Sequence, residues 1–147
     1  NDDLSFIVNK LPMRNIMYIG IRDINRYEQK IINRYDMWNL TSHQVNNEPE
    51  YCHAVIKSFI GNSPFHLSFD VDCLDPSIIP CTGTPVENGL ELKQTKYIID
   101  KILEYSNLIN MDITELNLEL GTEEQQTTSL DNFLYLFDKY LEKKGKK

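Results

Sequence analysis

The sequence predicts an α/β domain with a mainly parallel sheet. Three observations carry that prediction. Short apolar runs alternate with longer segments whose apolar residues recur at helical spacing. Those segments stand in the strand-then-helix order of βαβ units. Charged residues gather just past the runs, at residues 22–28, at Asp70 and Asp72, and at residues 112–115. Loops at the carboxyl ends of parallel strands are where such groups collect.

Taken in order, residues 16–21 (IMYIGI) are an apolar and aromatic run that fits a buried strand. A helix is expected over about residues 26–35, with Tyr27, Ile31 and Ile32 on one face. A second helix is expected in EPEYCHAVIKSFIG, where Pro49 stands in the first turn and Gly61 just past the end. FHLSF is a compact strand leading to Asp70, and the loop after it runs to about Gly89. Residues 91–106 place Leu92, Tyr97, Ile98, Ile102 and Leu103 at helical spacing. LINMDITEL is expected to be another buried strand, SLDNFLYLFDKYL a closing amphipathic helix, and EKKGKK a frayed tail.

The chain has 147 residues, expected to form one domain (1–147) or part of a larger one. Its net charge of −7 lacks the basic footprint that nucleic acids or anionic membranes select, so neither is expected as a partner. No apolar run approaches a membrane span. Cys52, Cys73 and Cys81 are an odd number without close pairing, which fits a reducing, cytoplasmic setting.

Asp70 and Asp72 are the chemical puzzle. Two carboxylates at i and i+2 on a strand end point the same way and repel unless a cation or hydrogen bonds offset the charge. Such a pair can hold one hard metal from two sides, or let one carboxylate bridge two. By itself Asp-x-Asp also occurs in nucleotide-sugar transferases, in phosphatases and in solvated loops. His66 is not assigned as a ligand, because it precedes the strand core and is expected to point away from Asp70. His43 and His53 are expected to be surface or partly buried histidines. Cys73 and Cys81 flank the motif without ligand spacing and read as small packing residues.

The stretch SFDVDCLDPSIIPCTGTPVENGL resembles the signature of the arginase (ureohydrolase) family, and YIGIRDINRYE and NMDITELN resemble two further family segments in the right order. The resemblance covers nearly the whole chain and corresponds to the carboxyl-terminal half of an arginase. It implies a three-layer αβα fold in which Asp70 bridges two Mn2+ ions and Asp72 chelates one. Glu115 would lie at the pocket floor, pairing with the substrate guanidinium, with Thr84 in the loop beside it. Hydroxide generated by the metal pair would attack the guanidinium carbon of L-arginine, giving L-ornithine and urea. In the segment of Arg22, Asp23, Asn25 and Glu28, the resemblance implies contacts to the amino-acid end of the substrate. A salt-bridge network that only holds the loop together would read the same.

The family's histidine ligands and its first-half carboxylates have no counterpart in these residues. Two aspartates cannot complete two Mn2+ sites, so the chain alone is expected to bind Mn2+ weakly and turn over slowly or not at all. Asn25 stands where the family often has Asp, which removes the attraction for an α-ammonium. Cys81 stands where Gly or another small residue is usual, and it fits there if its backbone dihedrals are ordinary. Val86 and Asn117 favour arginase over the agmatinase alternative. The other alternative is a catalytically incompetent, arginase-like regulatory partner. A homo-oligomer, in the family a trimer, is also implied, although Lys93 and Gln94 replace an Arg-Glu pair often used between subunits.

Overall fold

The computed structural model describes Phe6 and residues 8–145, with side chains through Leu141. After a short 3-10 turn, β1 (Met17–Ile21) leads into α1 (Arg26–Arg34). Then come β2 (Trp38–Thr41), α2 (Ser42–Asn47), α3 (Pro49–Ile60), β3 (Phe65–Asp70), α4 (Leu92–Ile102), β4 (Leu108–Thr114) and α5 (Glu123–Gly145). The alternation of strand and helix is the α/β architecture the sequence predicts, present as part of an αβα domain. Among the described residues the strands form two parallel pairs, β1–β2 and β3–β4, and not one continuous sheet.

One apolar core joins the two pairs. Leu40 of β2, Val45 of α2, Cys52, Ile56 and Ile60 of α3, Phe69 of β3, Ile98, Ile99 and Ile102 of α4, and Leu136 and Phe137 of α5 are all buried in it. Met17 and Ile19 of β1 pack against its edge. Phe137 meets Phe69 edge-on with ring centroids 5.3 Å apart, which seats the last helix directly beneath the end of β3.

Local chemistry sets the element ends. Asn25 caps α1 and Thr41 caps α2, each in a reciprocal box with Glu28 or Gln44 at the third helical position. Pro49 opens α3 and Gly61 closes it, as expected. Several expectations need correction. Tyr27 is exposed, and Ile32 alone is fully buried on α1. Residues 91–106 are helical only to Ile102. The closing helix starts six residues earlier than expected and its backbone stays helical through Gly145, whereas 146 and 147 lie outside the described residues.

β4 is half-buried, not buried. Met111 and Ile113 face the core, whereas Ile109, Asn110, Asp112 and Thr114 are exposed. β3 alternates in the same way, with Phe65, Leu67 and Phe69 inward and His66 and Ser68 outward. None of the described helices is long and apolar enough to cross a membrane.

Candidate functional site

β3 ends at Asp70, which is paired in register with Thr114, the last residue of β4. Glu115 therefore leaves the sheet at the same rim as Asp70. The chain turns past Asp70 through one 3-10 turn, Val71–Cys73, and the Asp70 carboxylate caps it by accepting the Asp72 N–H at 3.1 Å. That local bond folds the two acids toward each other. Val71 between them is fully buried and anchors the turn.

Burial and the neighbouring Asp70 carboxylate push the Asp72 carboxyl above its ordinary range, while Thr84 within hydrogen-bonding reach and the Arg22 guanidinium pull the other way. Asp70, Asp72, Thr84 and Arg22 thus meet at one place. Asp72 and Thr84 line a cleft of about 350 Å³ together with Gly20, Arg22, Asp23, Ile24 and Val86.

The loop that carries Thr84 is pinned from behind. The Cys81 N–H donates to Ser129 Oγ at 3.1 Å, and the Cys81 carbonyl accepts from the Asn117 N–H at 3.0 Å. Asn132, one helical turn after Ser129 on α5, donates to the Ile78 carbonyl at 2.8 Å. Cys81 is fully buried and free, and its φ is not positive, so it fits its place as an ordinary residue. No linear signal in the sequence connects Ser129 and Asn132 to this loop.

Glu115 has a φ of 65°, the left-handed region that a side chain enters at a cost of about 1–2 kcal/mol. Its carboxylate is turned to the loop: a Cβ built on Gly83 would lie 3.5 Å from Glu115 Oε2. Glu115 therefore reaches the loop at Gly83, the residue before Thr84.

Asn25 and Glu28 are occupied differently. Asn25 Oδ1 accepts from the N–H groups of Tyr27 (2.8 Å) and Glu28 (3.0 Å), and Glu28 Oε2 accepts from the Asn25 N–H (2.8 Å). Both side chains hold the start of α1, so the loop-stabilising reading has a direct structural basis.

His66 also departs from expectation. Four residues from Asp70 on a period-two strand, it shares the outward face of Asp70, about 13 Å along the strand. Its Nε2 meets Asp112 Oδ2 at 2.6 Å, and Ser68 Oγ donates to Asp112 Oδ1 at 2.6 Å.

Two carboxylates converging at a strand end suit a hard cation, and their mutual repulsion is what a cation between them would relieve. Among the described residues, no group of three or more His, Cys, Asp or Glu side chains is placed to hold a metal ion. Two oxygen donors fit a hard divalent cation as part of a site and not as a whole one.

The chain shares this arrangement with known proteins. A profile of the Arginase family matches residues 4–135. An arginase of Emericella nidulans is 39% identical over 119 residues, covering 76% of this chain and 35% of that protein. A hepatic arginase of Aquarana catesbeiana is 34% identical over 147 residues, covering 92% of this chain and 45% of its own length. The crystal structure of Entamoeba histolytica arginase in complex with L-ornithine superposes with a TM-score of 0.80 at 29% identity, covering 91% of this chain and 46% of that one. The chain spans about a third to a half of the length of these relatives. With the family's profile matched over most of its length and the two strand-end acids and the Thr84 loop assembled at one rim, the chain belongs to the arginase family.

Proposed function

We propose that this chain supplies the carboxyl-terminal part of an arginase-type active site, which hydrolyses the guanidinium of L-arginine to L-ornithine and urea. The observation that carries the reading is the meeting of Asp70, Asp72 and Thr84 at the rim where Glu115 faces Gly83. Asp70 and Asp72 would hold Mn2+, with two ions in the complete site and the remaining donors contributed by polypeptide beyond these residues. Bound manganese supplies Lewis acidity and lowers the pKa of water to the neutral range.

The chain's own residues bind and orient. Glu115 offers a carboxylate whose two oxygens match a planar guanidinium in a bidentate pair. Its left-handed backbone aims that carboxylate at the loop before substrate arrives. The Thr84 hydroxyl hydrogen-bonds with Asp72 and keeps the cleft polar on that side. Asn25 and Glu28 shape the entrance near the amino-acid end of the substrate. Asn25 Oδ1 is committed to the helix cap, which leaves the Nδ2 donor, suited to an α-carboxylate more than to an α-ammonium.

The test is urea release from L-arginine by the native protein supplied with Mn2+, with Asp70→Asn as control. Wild type is expected to release urea and the variant to lose more than about 100-fold, beyond the usual cost of an outer-shell partner. Equal release from both would rule the proposal out. The incomplete donor set favours one competing reading, a partner subunit without turnover. Mn2+ binding without urea from either protein would select it.

Self-association in the trimeric manner of the family belongs to the same proposal. Leu130, Leu134 and Leu141 leave an exposed apolar stripe on α5 that supports it. Light scattering that shows only monomer would defeat that part.

A further inference from the structure

We infer that Arg22 is a positioning residue for the proposed metal and substrate groups, acting as a fork that locks Asp72 to the Thr84 loop. The inference rests on the reading of Asp72 and Thr84 given above, but its geometry stands independently. Arg22 follows β1, and the groups it holds lie 50 and 64 positions away, in the 3-10 turn and the loop that follow β3.

Its Nη2 donates to the Asp72 carbonyl at 2.5 Å and to the Val86 carbonyl at 3.0 Å, while Nε donates to the same Val86 carbonyl at 3.2 Å. Nη1 reaches back toward the Gly20 carbonyl at 3.5 Å. A guanidinium engaged with three carbonyls is poorly placed to receive a substrate carboxylate, although it lines the cleft. Its geometry instead fixes two backbone points, one at a proposed metal ligand and one two residues past Thr84. No hydrogen-bonded ladder joins β1 to β3, so this side chain is a direct polar tie between the two strand pairs at the rim.

The strand is shaped to deliver it. The β1–β2 register shifts between Ile19 and Ile21, and Gly20 between them has φ +90°. A bulge of this kind bends a strand end and re-aims the following side chains. A Cβ on Gly20 would come within 3.1 Å of the Leu90 side chain, so the bulge also lets β1 approach the far end of the same loop. Lysine would lack the Nε donor that gives the Val86 carbonyl its second bond and the rigid plane that fixes the direction of both donors.

The experiment compares wild type, Arg22→Lys and Arg22→Met in the native protein by amide hydrogen exchange, Mn2+ titration and steady-state kinetics. Faster exchange confined to residues 72–74 and 82–88 is expected in both variants, with Mn2+ affinity at least about tenfold weaker. The kinetic loss should fall on kcat more than on KM, equally for L-arginine and its decarboxylated analogue. Unchanged exchange in both variants overturns the fork whether or not metal binds. Wild-type behaviour of Arg22→Lys also overturns it, since charge alone would then suffice. A rise in KM for L-arginine but not for the decarboxylated analogue would make Arg22 a carboxylate-binding residue instead. Absence of Mn2+ binding in wild type would count against the proposed function alone, and the exchange arm would still decide the inference. Should Arg22→Met fail to fold, Arg22→Lys carries each comparison.

Discussion

At Glu115 the chain holds an ordinary side chain in a conformation that glycine adopts freely, with a φ of 65°. Replacing it by glycine relieves the backbone strain while adding some chain entropy to the unfolded state. Glu115→Gly should therefore raise stability by about 0.5–1 kcal/mol in a urea melt while abolishing urea release. A loss of stability would mean the carboxylate is held by contacts and not by backbone geometry. A second residue-scale prediction concerns Gly121, where a Cβ would sit 2.4 Å from Cys81 Sγ. Gly121→Ala should cost about 1–3 kcal/mol through this overpacking, and Cys81→Ala should recover part of it in a double-mutant cycle. Simple additivity would contradict the contact. The approach of Asp70 and Asp72 was legible in the sequence because they stand two residues apart at a strand end, whereas Thr84 stood out only through the motif's resemblance to a family. The conformation of Glu115 was not legible, since no glycine or asparagine marks it. His66 shares the face of Asp70 because four residues are two full strand periods, and its partner Asp112 lies on the neighbouring strand, beyond any local pattern.

The helices beneath the rim show what the apolar pattern could and could not specify. α1, α3 and β3 were legible from spacing, capping residues and length. β2 and α2 were not legible, because four residues of strand followed by six of helix are too short for a periodic signal, and the Thr41–Gln44 box is their one local mark. α5 outran its expected bounds because its first turns are polar and take no part in the apolar stripe. Phe137, 1% exposed and packed on Phe69 and Phe133, makes α5 the floor under Asp70. Phe137→Ala should cost about 3–5 kcal/mol by denaturant unfolding, and a cost under 1 kcal/mol would show the helix to be loosely seated.

α4 and α5 are also tied by Lys96, whose ammonium lies 2.6 Å from both Asp100 and Asp138. Burial disfavours its charge, but the two carboxylates outweigh that and raise its pKa. In return Lys96 lowers the Asp138 pKa from its ordinary 3.8. This contribution to stability is present above the unfolded value and is lost as pH falls through the depressed one. Lys96→Met should flatten the acid side of a stability-against-pH curve below about pH 4. An unchanged slope would place the acid sensitivity elsewhere.

Across the whole molecule, the alternation of strand and helix made the fold class legible, and the match of motifs in order made the family legible. The division into two parallel pairs was not, because strand neighbours depend on contacts no local pattern encodes. For the same reason β4 read as fully buried although its outward face carries Asn110, Asp112 and Thr114. The cross-pair reach of Arg22 is likewise a property of the assembled rim. What the molecule presents there is a pair of acids drawn together by their own turn, with Asp72 lining the cleft, and that pair is the proposed holder of a cation. Anomalous diffraction at the manganese edge from Mn2+-soaked crystals of the native protein tests that claim most directly. Density is expected within about 2.0–2.6 Å of carboxylate oxygens of both Asp70 and Asp72, as for hard divalent ions on oxygen ligands. Manganese bound elsewhere, with both carboxylates turned away from it, would contradict it.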